Sequence, residues 1–180
     1  MSSPSFRYHP DPIATGSVIA SAAVCRCCGQ ERGLIYTGPV YAEEELQDAL
    51  CPWCIADGSA AAQCGAEFVD GAAVGDYGHW DGVPPAVIEE VSRRTPGFSS
   101  WQGERWWTHC GDAAVFLGPC GAIELCSTWA AALPAIRADV GYEGQDWDEY
   151  VAALDREHGP TAYVFRCLHC GQLGGYSDCH

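Results

Sequence analysis

Residues 25–54 read CRCCGQERGLIYTGPVYAEEELQDALCPWC. Two Cys-x-x-Cys pairs, Cys25/Cys28 and Cys51/Cys54, enclose 22 residues (51 − 28 − 1). Two residues between ligands let a tight turn aim both thiolates at one ion, and a second pair completes the tetrahedron that structural zinc requires. Gly29 follows the first pair, where such a knuckle often needs positive φ. The second pair opens a helix-like segment, 55–64, whose N-terminal dipole favours thiolate charge. Knuckle, hairpin (33–41) and helix-borne pair predict a treble-clef-like four-cysteine zinc module in residues 1–66, with Cys25, Cys28, Cys51 and Cys54 as ligands.

Three other readings of these cysteines compete. In a secreted chain the pairs would be disulfides; the small, apolar stretch 13–24 is a weak signal-peptide pattern, and a cytoplasmic protein with reduced thiols is the expectation. Cys27 is a rival to Cys25, although Cys27 and Cys28 are adjacent and cannot form the same knuckle. Cys51-Pro52-Trp53-Cys54 also has the form of a glutaredoxin-type redox motif. That chemistry needs a buried strand leading into the motif, and AEEELQDAL, which precedes it, is polar and reads as a helix over 42–50.

A further knuckle, Cys167-x-x-Cys170-Gly171, has no second Cys-x-x-Cys to partner it. Its remaining ligands must come from afar. Cys110 and Cys179 would complete a second four-cysteine site, with His109 as the alternative fourth ligand. If only three protein ligands bind, the open position would suit a zinc-dependent hydrolase. The strand-like run 113–117 is expected to pair with 161–166 and so bring Cys110 to Cys167 and Cys170. One zinc ion is expected, and two are compatible with the spacing.

The rest of the chain fits an α+β fold: the zinc module, then a small antiparallel sheet with helices over 67–180 and a C-terminal zinc-knuckle hairpin, co-folded as one unit. Residues 1–22 read as extended and loosely structured, with Pro4, Pro10 and Pro12 as breakers. Residues 65–83 are rich in Gly and Asp and read as a long loop. Pro84-Pro85 starts a helix carrying Val87, Ile88 and Val91 on one face. Gly118-Pro119 is expected to end the 113–117 strand, and Pro134 to break a helical stretch over 121–140. Asp146 is read as an N-cap for a helix over 146–158, with Trp147, Tyr150, Val151 and Leu154 as its apolar stripe. His9 and His79 are read as loop residues and His158 as lying at a helix end.

The chain has 180 residues, 9 basic against 24 acidic, and a formal charge of −15. All the basic residues are arginine. Phosphate recognition needs clustered cations, so nucleic acid is excluded as a partner, and anionic membranes are disfavoured for the same reason. No run approaches the length of a spanning helix. Motifs for zinc deamination, zinc proteolysis, nucleotide binding and serine hydrolysis are absent.

Several stretches occur together in order: FRYHP (6–10), YTGPVY (36–41), CPWCIADGSA (51–60), RTPGF (94–98), Trp101-Gln102, HCGD (109–112) and FRCLHCG (165–171). In this the chain resembles the bacterial CbrC family, associated by name with colicin tolerance, from Phe6 to Asp178. The resemblance implies a cytoplasmic protein without an established reaction. The expectation is therefore a zinc-binding, non-enzymatic protein that binds a protein partner or acts in stress or colicin tolerance. The enzyme alternatives are the open-site hydrolase and a thiol oxidoreductase using Cys51 and Cys54.

Overall fold

A computed structural model describes residues 3–179. The fold is mixed α+β, with small antiparallel sheets. Strands β1 (Val18–Ala20) and β2 (Leu34–Tyr36) pair antiparallel. The hairpin expected over 33–41 is therefore replaced: the partner of β2 comes from the N-terminal segment, and Tyr36 also takes Leu50 as a bridge partner through Tyr36 N–H to Leu50 C=O at 2.9 Å. That bridge requires the chain to return in extended form, so 42–50 is irregular rather than helical. The like charges Glu43, Glu44 and Glu45 give a helix there no support.

Helix α1 (Pro52–Ala56) begins on Cys51, with proline in its first turn. Gly58, at φ +81°, breaks it from α2 (Ser59–Cys64), so the helix-like stretch is two short helices. The Gly/Asp-rich segment holds two 3-10 turns, Gly71–Ala73 and Asp76–Gly78. Helix α3 (Pro85–Arg94) follows the double proline as expected.

Strands β3 (Thr108–His109) and β4 (Asp112–Ala113) form a tight hairpin. Strand β5 (Val115–Cys120) then runs through Gly118-Pro119 rather than stopping there. The register shifts between Phe116 and Gly118, with Leu117 as the extra residue, and Gly118, at φ +136°, pairs with Val164. Proline is tolerated because β5 is an edge strand. Helices α4 (Ala122–Ser127), α5 (Leu133–Val140, proline in its first turn) and α6 (Gly144–Ala153) intervene. Glu143, not Asp146, occupies the N-cap of α6. Strands β6 (Thr161–Arg166) and β7 (Leu173–Asp178) complete an antiparallel sheet of order β5-β6-β7. Helix α5 packs closest to β7, with Ile136 fully buried, while α6 has no fully buried residue and reaches the core through Trp147 and Tyr150.

The central core is aromatic. Phe98 stacks on Phe116 with centroids 3.8 Å apart, and Trp106, Tyr163, Phe165 and Tyr176 surround them. Burial of one such side chain contributes about 3 kcal/mol. Trp106 is fully enclosed and donates from Nε1 to Ala114 C=O at 2.9 Å, whereas Trp101 is partly exposed.

The N-terminal segment is not loose. Phe6, Tyr8 and His9 are buried, and Phe116 N–H donates to Tyr8 C=O at 2.8 Å. His9 sits between Pro96 C=O (Nδ1, 2.7 Å) and the Thr15 hydroxyl (Nε2, 2.6 Å). Since a carbonyl can only accept, a neutral ring has its proton on Nδ1. Burial lowers this imidazole to about 4.

Candidate metal centres

The first knuckle is a backbone device. Cys25 N–H donates to Gln30 C=O (2.9 Å) and Gly29 N–H returns to Cys25 C=O (2.8 Å), with Gly29 at φ +66°. Cys51 is held at the start of α1, and its N–H donates to Cys25 Sγ at 3.2 Å. The sulfurs of Cys25 and Cys54 are 3.9 Å apart, Cys28 and Cys51 4.0 Å, and Cys51 and Cys54 3.6 Å. All four lie within 4.8 Å of one another, a group that could hold a metal ion. Cys25, Cys51 and Cys54 are buried and Cys28 is partly so. Cys27 is outside the group, its sulfur 3.5 Å from the Ser59 hydroxyl. The cysteines are free thiols, with no disulfide among the described residues.

The second knuckle repeats the first. Cys167 N–H donates to Gln172 C=O (2.8 Å), Gly171 N–H to Cys167 C=O (3.1 Å), and Gly171 is at φ +75°. The shared sequence is Cys-x-x-Cys-Gly-Gln, at 25–30 and 167–172. The rest of this site comes from the β3–β4 hairpin, whose turn is Cys110-Gly111. Both turn residues have positive φ (57° and 72°), the geometry of a two-residue type I′ turn. Asp81 accepts the Cys110 N–H at 2.8 Å. His109 Nδ1 lies 3.2 Å from Cys110 Sγ and 3.5 Å from Cys170 Sγ, with its ring stacked on Trp107. His109, Cys110, Cys167 and Cys170 form the second group that could hold a metal ion.

Cys179 does not join this group, and the expectation that it would is corrected. Strand β7 pairs Leu173 with Arg166 and Asp178 with Thr161. It therefore carries Cys179 to the opposite end of the hairpin, roughly 20 Å away at about 3.3 Å per residue. His109, the alternative, is in the group instead. Cys110 and Cys170 are exposed, which sets this cluster apart from the first.

In each cluster the backbone favours one thiolate. Burial raises the Cys25 thiol, but N–H groups of Cys28, Cys51 and Cys27 together outweigh it and bring it down to about 7. Burial carries Cys51 up to about 11 and Cys54 higher still. Likewise burial is outweighed at Cys167 by the Cys170 and His169 amides and the His109 ring, giving about 6, while Cys110 is pushed up to about 11. One negative charge among four close donors makes the next costly, and a cation removes that cost.

Asp112 ties the second cluster to the core. Its carboxylate accepts from the Tyr8 hydroxyl (2.8 Å), Arg7 (2.7 Å) and His169 Nε2 (3.0 Å). Burial alone would raise this carboxyl, but Tyr8, His169 and Arg7 hold it below the usual range.

Residues 3–179 match the family described as "Uncharacterised protein family (UPF0167)". A UPF0167 protein of Mycobacterium bovis is 52% identical over 180 residues, covering 97% of this chain and 92% of its own length. The chain belongs to the UPF0167 family. A UPF0167 protein of Pseudomonas aeruginosa is 47% identical over 171 residues, covering 94% of this chain and 93% of its own length. No solved structure matches. The resemblance to the CbrC family is thereby corrected: the family that matches is UPF0167, and the colicin-tolerance role implied by that resemblance falls with it.

Sequence reasoning about this UPF0167 chain missed three things. The Cys-x-x-Cys-Gly-Gln repeat was visible as text. Asp112 lay beside His109-Cys110 and had no sequence signal for its partners, the buried Tyr8 and the exposed His169. Buried Glu104, both of whose oxygens lie 2.9 Å from the Tyr41 hydroxyl, stands two residues after Gln102 without any motif. Among the described residues no helix is long and apolar enough to cross a membrane.

Proposed function

We propose that the chain is a non-enzymatic, two-zinc cytoplasmic protein. A treble-clef site of four cysteines would hold one ion at Cys25, Cys28, Cys51 and Cys54, and a knuckle site of three cysteines and one histidine the other, at Cys110, Cys167, Cys170 and His109. The observation that carries this reading is the sulfur spacing of the first cluster. Four ligands at a Zn–S distance of about 2.3 Å stand about 3.8 Å apart on a tetrahedron's edges, and the spacings quoted above run from 3.6 to 4.0 Å. The Cys25–Cys28 knuckle and the helix-borne Cys51 and Cys54 support the treble-clef reading, with the β1–β2 pair in place of the expected hairpin. In the second cluster, bonds of about 2.1 Å to nitrogen and 2.3 Å to sulfur predict an N···S edge of about 3.6 Å, against 3.2 and 3.5 Å.

Both sets supply four protein ligands, which saturate a tetrahedral ion and favour structure over catalysis. This disfavours the open-site hydrolase. Burial of Cys51 and Cys54 among two further sulfurs disfavours the thiol oxidoreductase, whose nucleophile must be reached. The free thiols suit a reducing compartment, and the acidic charge suits a basic protein as partner.

Metal analysis of protein purified under reducing conditions tests the reading. Two zinc ions per chain are expected, and Cys51→Ser should lose one and melt far lower, since a structural zinc contributes on the order of 10 kcal/mol. Metal-free protein that melts at the same temperature would refute it. Salt-sensitive capture of a basic protein tests the partner; capture indifferent to salt argues against charge as its basis.

A further inference from the structure

The two cysteine clusters are built on the same Cys-x-x-Cys-Gly-Gln knuckle, yet solvent reaches them very differently. In the first, Cys25, Cys51 and Cys54 are at most 3% exposed, and Cys28 is partly covered. In the second, Cys167 is 2% exposed, while Cys110 and Cys170 are both exposed. The difference lies in what each knuckle meets. Cys51 and Cys54 start α1 inside a core that includes Ile35, Leu50 and Ile55. Cys110 instead sits in the turn at the tip of the β3–β4 hairpin.

The two exposed sulfurs come from different elements and are close together. The donor atoms of the cluster lie within 4.8 Å of one another. A disulfide bond is about 2.05 Å long, so the Cys110 and Cys170 sulfurs need approach by less than about 3 Å to join. Strands β3 and β4 pair over only two residues each, so their turn can adjust without disturbing the larger sheet. Exposure and thiolate character together govern how readily a cysteine is oxidised, and a metal ligand is held as its thiolate.

We infer that the second centre is an oxidant-responsive site, at which a hydroperoxide joins Cys110 to Cys170 as a disulfide and so releases the ion. This rests on reading His109, Cys110, Cys167 and Cys170 as a zinc centre. With hydrogen peroxide, Cys110 Sγ attacks one oxygen, the O–O bond breaks, and the departing hydroxide takes a proton to become water. A sulfenic acid is left on Cys110. Cys170 Sγ then attacks that sulfur, the S–O bond breaks, and the second hydroxide also leaves as water. The two sulfurs give up two electrons in all, and the peroxide is reduced to two waters. Only Cys167 and His109 then remain as donors, too few for a tetrahedral ion.

The pair within the knuckle, Cys167 and Cys170, is disfavoured. Cys167 is buried, and its sulfur takes the His169 N–H at 3.4 Å. Cys126 and Cys179 are exposed but belong to neither group of donors. The fold around the site does not hang on the ion. The knuckle is closed by its own backbone bonds, and β5, β6 and β7 pair along their lengths above the aromatic core. Oxidation therefore alters the centre and leaves the chain folded, and reduction restores its four donors.

The experiment adds hydrogen peroxide to the full chain, purified with its metal and freed of reductant. Metal content is measured first. A chromogenic chelator then reads released zinc, and mass spectrometry of peptides reads which cysteines have joined. One of two ions should leave about tenfold faster than the other or more, with a Cys110–Cys170 disulfide and an unchanged far-ultraviolet circular dichroism spectrum. Dithiothreitol with added zinc should return the lost ion. The double variant Cys126→Ser, Cys179→Ser should respond at the parent rate, and a slower response would overturn the inference. So would release of both ions at one rate, a disulfide confined to Cys167 and Cys170, or retention of both ions at millimolar peroxide. Metal content tells the two failures apart. Fewer than two ions before oxidant defeats the reading of the centre and this inference with it, whereas two ions that peroxide leaves in place defeat the inference alone.

Discussion

Replacing Asp112 by alanine should cost far more than its one carboxylate suggests, because three segments meet on it. Tyr8 and Arg7 arrive from the N-terminus and His169 from the second knuckle, while the carboxylate also accepts the Ala113 N–H at 2.9 Å. Arg7 and His169 are about half exposed, so each pair contributes only about 0–1 kcal/mol. The Tyr8 hydroxyl is buried. Leaving it without an acceptor costs about 1–3 kcal/mol, and the lost Ala113 bond about 1 more. The expected total is about 3–5 kcal/mol. At about 2–4 °C per kcal/mol for a chain of this size, the melting temperature falls by roughly 10 °C. Tyr8→Phe alone should cost about 1 kcal/mol. In the Asp112→Ala background the same change should be neutral or stabilising, since it removes the orphaned hydroxyl. Urea unfolding of the four proteins measures the coupling. Additivity within about 0.5 kcal/mol would show that Tyr8 and Asp112 do not act together, and the reasoning would fail. The pH sign follows from the depressed carboxyl: its stabilisation is present above the unfolded value of about 3.9 and is lost as pH falls through the folded one.

Gly97→Ala should destabilise by about 3 kcal/mol or more, because an added Cβ would meet the Phe68 carbonyl oxygen at 2.0 Å; a thermal melt within a degree or two of the parent would contradict this. His9, at about 4 when folded and about 6.5 when unfolded, adds stability that is complete above the unfolded value. About 3 kcal/mol of it should disappear as pH falls from about 6.5 to about 4, and His9→Gln should flatten that slope in urea titrations. His109→Ala and Cys110→Ser should each reduce bound zinc by one ion per chain, while Cys179→Ser should leave it unchanged; metal analysis that ranks Cys179 with the ligands would undo the assignment of the second cluster.

What could be read without coordinates was what depends on short range. The Cys-x-x-Cys spacings, the double-proline start at 84–85 and the apolar run Thr161–Arg166 each carry their own signal. The pairing of β5 with β6 was legible because only that contact brings Cys110 to Cys167. The misreadings share a cause, which is that a distant partner overrode local preference. Residues 42–50 look helical, yet Leu50 is held by Tyr36. Pro119 looks like a strand terminator, yet an edge position tolerates it. His9 looks like a loop histidine, yet the aromatic core closes over it. Cys179 was misplaced for a different reason: its nine-residue distance from Cys170 was read without the antiparallel direction of β7, which carries it away.

The burial of Tyr8 and His9 has a consequence for how the chain is made. The first four cysteines of the metal centres are all present once residue 54 has been synthesised, so that cluster can close while synthesis continues. Tyr8 and His9 cannot settle until Asp112 and Phe116 exist. At about 5–20 residues per second, the start of the protein waits roughly 5–20 s for the groups that will cover it. During that interval an aromatic segment is exposed beside the ribosome. An early-closing cysteine module directly behind it would shorten the length of chain left unfolded, and the order of the two halves along the polypeptide suits that sequence of events.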